Sequence, residues 1–199
     1  MKLSLAFIAV FLLLNKVNAQ SNIPSPEIQI RMAVLAAPEE LRAGAMVYGY
    51  DARGKLTVLR KGTNEMICLA DNPAVKGFNA ACYHKDLEPY MARGRELRAA
   101  GMSEDKATKT RDDEVTAGKL KMTNKQASLY VLSADDADCD YVNGTVKNGY
   151  LRSVIYIPYA TTASTGLPTK PAGPGMPWIM YPGTPRAHIM INPPASAKK

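Results

Sequence analysis

Histidine is scarce in this chain: His84 and His188 are the two among 199 residues. There is no HExxH helix, no CxxC, no GxSxG elbow, and no glycine-rich phosphate or dinucleotide loop. Chemistry of the zincin, redox, α/β-hydrolase, P-loop or Rossmann kind therefore has no motif to stand on. Clustered basic charge is also missing. The 25 Lys and Arg are interspersed with 18 acids, and Lys198-Lys199 is the one unopposed pair. A nucleic-acid partner, which needs a basic face, is not expected. No internal repeat is present. After the first twenty residues no apolar run approaches the roughly 20 residues that cross a bilayer, so no transmembrane segment is expected after signal cleavage.

What is present begins at the N-terminus. Lys2 precedes an apolar run, Leu3–Leu14, interrupted by Ser4, and Val17-Asn18-Ala19 follows. A charged start, a short apolar stretch and a small-residue site predict a signal peptide over 1–19, cut before Gln20. That segment carries Lys2 and Lys16 and no acid. Its removal leaves 180 residues, 20–199, with a formal charge of +5. This length suits one domain with a sizeable core. The expected address is secreted or periplasmic.

The chain is organised around residues 56–101. Met66–Ala70 and Asn79–His84 are apolar runs separated by Asp71-Asn72-Pro73 and Gly77, which predicts a hairpin. Setting Cys68 opposite Cys82 places Met66 opposite His84. Alternation then puts Met66, Cys68, Ala70, Ala80, Cys82 and His84 on one face and Ile67, Leu69, Ala81 and Tyr83 on the other. Both faces are largely apolar, so the hairpin should be covered on both sides. Asp86 reads as the N-cap of a following helix with Pro89 in its first turn. Leu87, Met91 and Leu97 form its stripe, and Gly94 within the stripe suggests a close approach of backbones.

Around this unit, Ser25-Pro26-Glu27 starts a helix whose apolar face holds Ile28, Met32, Leu35 and Ala36. Turns at 51–54 and 61–64 make 45–84 read as a four-stranded antiparallel meander. Residues 103–118 read as an exposed helix free to move. Leu120–Met122 and Leu129–Leu132 should rejoin the sheet. Leu151–Tyr159 is the clearest strand of the C-terminal half, and 161–166 a small polar loop. Pro182-Gly183 predicts a type II turn between two last strands. Pro168, Pro171, Pro174 and Pro177 recur every third residue. They share one edge of an extended strap expected to dock beside Trp178, or to meet a polyproline-binding partner. The fold class is α+β: an antiparallel sheet packed by a few helices.

Three cysteines behind a leader imply an oxidising compartment, with Cys68–Cys82 the natural disulfide and Cys139 left over. Asp138 and Asp140 flank Cys139 and would raise its pKa, which argues against a nucleophile. Asp136, Asp138 and Asp140 match the first three oxygen ligands of an EF-hand. The match fails at Tyr141, where Gly belongs, and at Lys147, where Glu belongs. An irregular Ca2+ loop and a solvated acidic turn both remain open there; no other cofactor is suggested. Asn143-Gly144-Thr145 fits a glycosylation acceptor. His84 and His188 are either strand histidines or a converging pair, with Asp71, Asp86 and Glu88 as companions.

The leading functional expectation is a non-catalytic binding protein of the envelope or extracellular space with a small-molecule or envelope ligand. The alternative is a hydrolase or metal-dependent enzyme using His84 and His188. The placement of the two imidazoles separates these readings: one shared pocket for the enzyme, opposite faces of the sheet against it.

Overall fold

The computed structural model of the protein describes residues 23–194. The leader and its cleavage point lie outside the described residues. Strands run β1 Met46–Tyr50, β2 Leu56–Arg60, β3 Met66–Leu69, β4 Phe78–His84, β5 Ala127–Ala134, β6 Cys139–Asp140, β7 Thr145–Val146, β8 Tyr150–Tyr156, β9 Trp178–Met180 and β10 His188–Ile191. Helices are α1 Pro26–Ala33, α2 Glu39–Arg42, α3 Glu88–Ala99, α4 Glu104–Thr116 and α5 Thr162–Thr165. Eight strands form one sheet in the order β2-β1-β3-β4-β5-β8-β10-β9, and β6 and β7 make a small ribbon. The class is α+β with a mostly antiparallel sheet, as the sequence implies.

The β3–β4 hairpin takes the expected register, Met66 opposite His84 and Cys68 opposite Cys82. Cys68 and Cys82 are joined by a disulfide and fully buried. Alternation divides the core as expected. Met66, Cys68, Ala70, Phe78, Ala80 and Cys82 pack with Met32, Ala33 and Ala36 from α1 and the turn after it. Ile67 and Tyr83 pack on the other side with Leu87, Val154 and Tyr156. Ser25 accepts the Ile28 amide and Pro26 opens α1, so the helix starts where its capping residues direct.

The four-stranded antiparallel meander over 45–84 is not what forms. β1 lies between β2 and β3, antiparallel to the first and parallel to the second. The link after β2 is the cause. Thr63 and Asn64 donate their amides to the Gly44 carbonyl, and the Asn64 side chain donates to Leu41. The chain thus crosses the start of β1 and enters β3 on its other side. Glycine allows that crossing, since a Cβ at Gly62 would lie 2.8 Å from the Met46 amide nitrogen.

Other expectations shift locally. Asp86 does not cap α3. A 3-10 turn, Lys85–Leu87, comes first, and the His84 ring accepts the Asp86 amide. Leu87 and Leu97 are buried as expected, together with Tyr90. Gly94 makes room for a side chain rather than a backbone: a Cβ there would meet Arg111 Nη1 at 2.7 Å. That arginine belongs to α4, which therefore is anchored, not free. Ala107 and Arg111 are buried, Arg93 forks onto Glu114, and the Tyr90 hydroxyl donates to Asp112. Leu120–Met122 stay out of the sheet. Residues 162–165 form one helical turn with a Thr161/Ser164 capping box.

The C-terminal hairpin forms as expected, His188 opposite Met180. Gly183 has φ of 76°, the left-handed value a type II turn requires at its third position. The proline strap meets the outer edge of β9 at its start, where the Ile179 amide donates to the Pro168 carbonyl, and Gly175 within it donates to the Asn192 carbonyl. The first bond pairs one backbone amide on the edge strand.

Candidate functional site

A concavity opens where α1 meets the loop between β3 and β4. It has a volume of about 620 Å³. Met32, Ala70 and Phe78 line it and are each at most 6% exposed, giving it an apolar floor. Gln29 fixes one wall: its amide donates to the Pro24 and Tyr50 carbonyls and accepts the Tyr50 amide. Pro73, Ala74, Val75 and Lys76 form an exposed rim. Asp71, Asp136 and Tyr141 supply the remaining polar groups.

Asp71 sits where β3 leaves the sheet and is half-buried. One carboxylate oxygen accepts the Asn79 amide at 2.9 Å, and the other accepts the Tyr141 hydroxyl at 3.3 Å. Burial outweighs those bonds and, with repulsion from Asp136, holds its pKa above the usual carboxylate value. Tyr141 is pushed upward too, first by burial and then by Asp71. Cys139, next to this cluster, is raised by burial, with Asp71, Asp136 and Asp138 adding. The region is thus under-compensated negative charge beside apolar surface. A raised thiol is a poor nucleophile, as its acidic neighbours imply.

Of the three aspartates considered for Ca2+, Asp136 and Asp138 share one 3-10 turn and Asp140 lies in β6, and each carboxylate is engaged by a different partner. Asp136 accepts the Gly77 amide, Asp138 the Asn148 side chain, and Asp140 the Val142 and Asn143 amides. Among the described residues no group of three or more His, Cys, Asp or Glu is placed to hold a metal ion.

His84 and His188 do not come together. Strands β5 and β8 separate their strands in the sheet. His84 is opposite Met66 and so shares the α1 face, whereas His188 is opposite Tyr156 and shares the Tyr83 face. His84 Nδ1 lies 3.7 Å from Asp86. His188 is buried between the Tyr156 and Tyr181 rings, with Nδ1 2.7 Å from the Arg186 carbonyl. A carbonyl accepts, so Nδ1 carries the proton. Burial, more than any other cause, holds its pKa below the ordinary histidine value.

A pH dependence follows. The unfolded chain takes up a proton near pH 6.5 that the folded chain refuses until lower pH. The stabilisation is therefore complete above about pH 6.5 and lost as pH falls below it. Urea midpoints measured from pH 7.5 to 5 should fall in the native protein. They should fall less steeply in His188→Phe, whatever its absolute stability; an identical slope would show that His188 is not the group.

Glu88, a suggested histidine companion, belongs instead to a cluster under α3. It accepts from the Tyr83 hydroxyl at 2.5 Å and from Arg95 at 2.6 Å, and Arg95 lies over the Tyr48 ring. These bonds tie the first turn of α3 to β4 and so anchor the helix. A shallower groove of about 360 Å³ runs between Leu120–Asn124 and Pro158-Tyr159, with Lys121 as its charged group.

Sequence reasoning named Asp71 and Asp136 but missed Tyr141, Lys76 and the cleft joining them. Tyr141 is 70 residues from Asp71 along the chain, and no local spacing announces the pair. Compared with known proteins, the chain matches no family model, no curated protein and no solved structure.

Proposed function

We propose that the protein is an exported, non-catalytic binding protein of the envelope or extracellular space, holding a small ligand in the cleft beside α1. The cleft itself carries this reading. Its volume of about 620 Å³ is in the range of small-molecule sites, and an apolar floor with few polar groups is the usual make-up of such a site. Against catalysis stand the raised Cys139 thiol and two histidines on opposite faces of the sheet. The hydrolase alternative has no shared pocket in which to work. Export is supported by the leader sequence and by the disulfide.

A thermal-shift screen of small amines, acids, sugars and short peptides tests the reading. Val75 is 60% exposed on the rim, so Val75→Trp should fold normally while blocking the mouth. Ligands that raise the melting temperature of the native protein should fail to do so in Val75→Trp. Hits that stabilise both proteins equally would place binding elsewhere.

A further inference from the structure

We propose that the cleft takes an organic cation, with an ammonium or guanidinium group against the Asp71 carboxylate and an apolar stem over Met32 and Phe78. This rests on the binding reading above and names the ligand class. An ionised carboxylate can accept about four hydrogen bonds. Asp71 accepts the Asn79 amide and, at 3.3 Å, the Tyr141 hydroxyl, and the adjacent Asn72 amide adds a weaker favourable contact, none of them a cation. Among the described residues it has no ion pair: their salt bridges all lie elsewhere. Leaving a half-buried carboxylate uncompensated is costly in a folded protein, and a cation entering the cleft would remove that cost.

The second carboxylate on the cleft, Asp136, is exposed and spends one oxygen on the Gly77 amide. Among the described residues Lys76 is the one lining cation, and it sits on the exposed rim with a stem long enough to turn to water. A bare divalent metal does not suit the site, because no third acidic or imidazole ligand converges there among the described residues. The apolar floor then sets the second requirement, a hydrocarbon stem. Free alkylamines and the basic side chains of peptides both meet this description.

Calorimetry with n-hexylamine, n-hexanol, hexanoate and acetyl-arginine amide tests the proposal. Hexylamine should bind about 10- to 100-fold more tightly than hexanol, the range for a hydrogen-bonded charge, and hexanoate should not bind. Binding of the arginine amide as well would point to peptides as the source; hexylamine alone would point to free amines. Asp71→Asn should reduce hexylamine affinity to that of hexanol and leave hexanol unchanged. This variant should fold, because its carboxamide oxygen can still accept the Asn79 amide and the buried charge is gone. Its melting temperature at pH 7 should therefore not fall. Hexanoate or hexanol binding with the same affinity as hexylamine, no binding of hexylamine, or Asp71→Asn binding hexylamine undiminished would overturn the cation assignment. The binding reading is decided separately, by the Val75→Trp comparison.

Discussion

Cys68→Ala/Cys82→Ala should lower the melting temperature by about 6–12 °C. The bond spans 14 residues of sequence and joins opposed positions of the β3–β4 hairpin. Closing a loop of that size is worth about 3 kcal/mol in the chain-entropy account. For a chain of 150–250 residues each kcal/mol shifts the midpoint by about 2–4 °C. Both sulfurs are fully buried against the α1 side of the core, so their loss also leaves a small cavity. A single Cys68→Ala change should leave the Cys82 thiol unreactive in the native state, since it has no exposed surface, and reactive once unfolded. Cys139→Ala should shift the midpoint far less, because Cys139 is partly exposed and unbonded. Calorimetric scans of the three variants decide this, and a drop under about 2 °C for the double variant would remove the disulfide as a main support.

Glu88→Ala is expected to be the next most damaging change, by about 2 kcal/mol, or roughly 4–8 °C. Glu88 is the one acid that receives both the Tyr83 hydroxyl and the Arg95 guanidinium. Its side chain is 25% exposed and that of Arg95 16%, so the pair is partly desolvated. Removing one partner from a fully buried pair costs about 3–5 kcal/mol; the residual exposure here reduces that. Tyr83 is 1% exposed, and its hydroxyl would keep only Arg95. Glu88→Gln should cost about half as much, because its carboxamide oxygen can still accept from Tyr83. By contrast, Asp113→Ala breaks an exposed pair with Lys109 and should change stability by under about 0.5 kcal/mol. Equal losses for Glu88→Ala and Asp113→Ala in urea titrations would show that the α3 cluster contributes no more than a surface pair.

These two sites also show how far the sequence could be read. The disulfide register was legible because alternation and a constant sum of paired residue numbers fix a hairpin once its apolar runs are seen. The start of α1 was legible from Ser25 and Pro26, and the last turn from Pro182-Gly183. The place of β1 was not legible. The order of strands is decided by the hydrogen bonds of Gly44, Thr63 and Asn64 and by the close approach that Gly62 allows, which carry the chain across β1 instead of back along it. Nor was the anchoring of α4, which depends on Arg111 filling the space above Gly94 in another helix. The cleft fails to announce itself for the same reason. Asp71 and Asp136 could each be named, but Tyr141 closes on Asp71 through a fold-level contact. His84 and His188 looked equivalent in sequence, and the parity of their positions in the assembled sheet put them on opposite faces.

Ligand binding in the cleft is tested most directly by an amide chemical-shift map of residues 20–199 titrated with n-hexylamine. Shifts should be confined to the loop 70–79, the α1 segment 24–32 and residues 136–141, and should vanish in Asp71→Asn. Unmoved signals in those three segments, or shifts centred on the groove at Leu120–Asn124 and Tyr159, would contradict it.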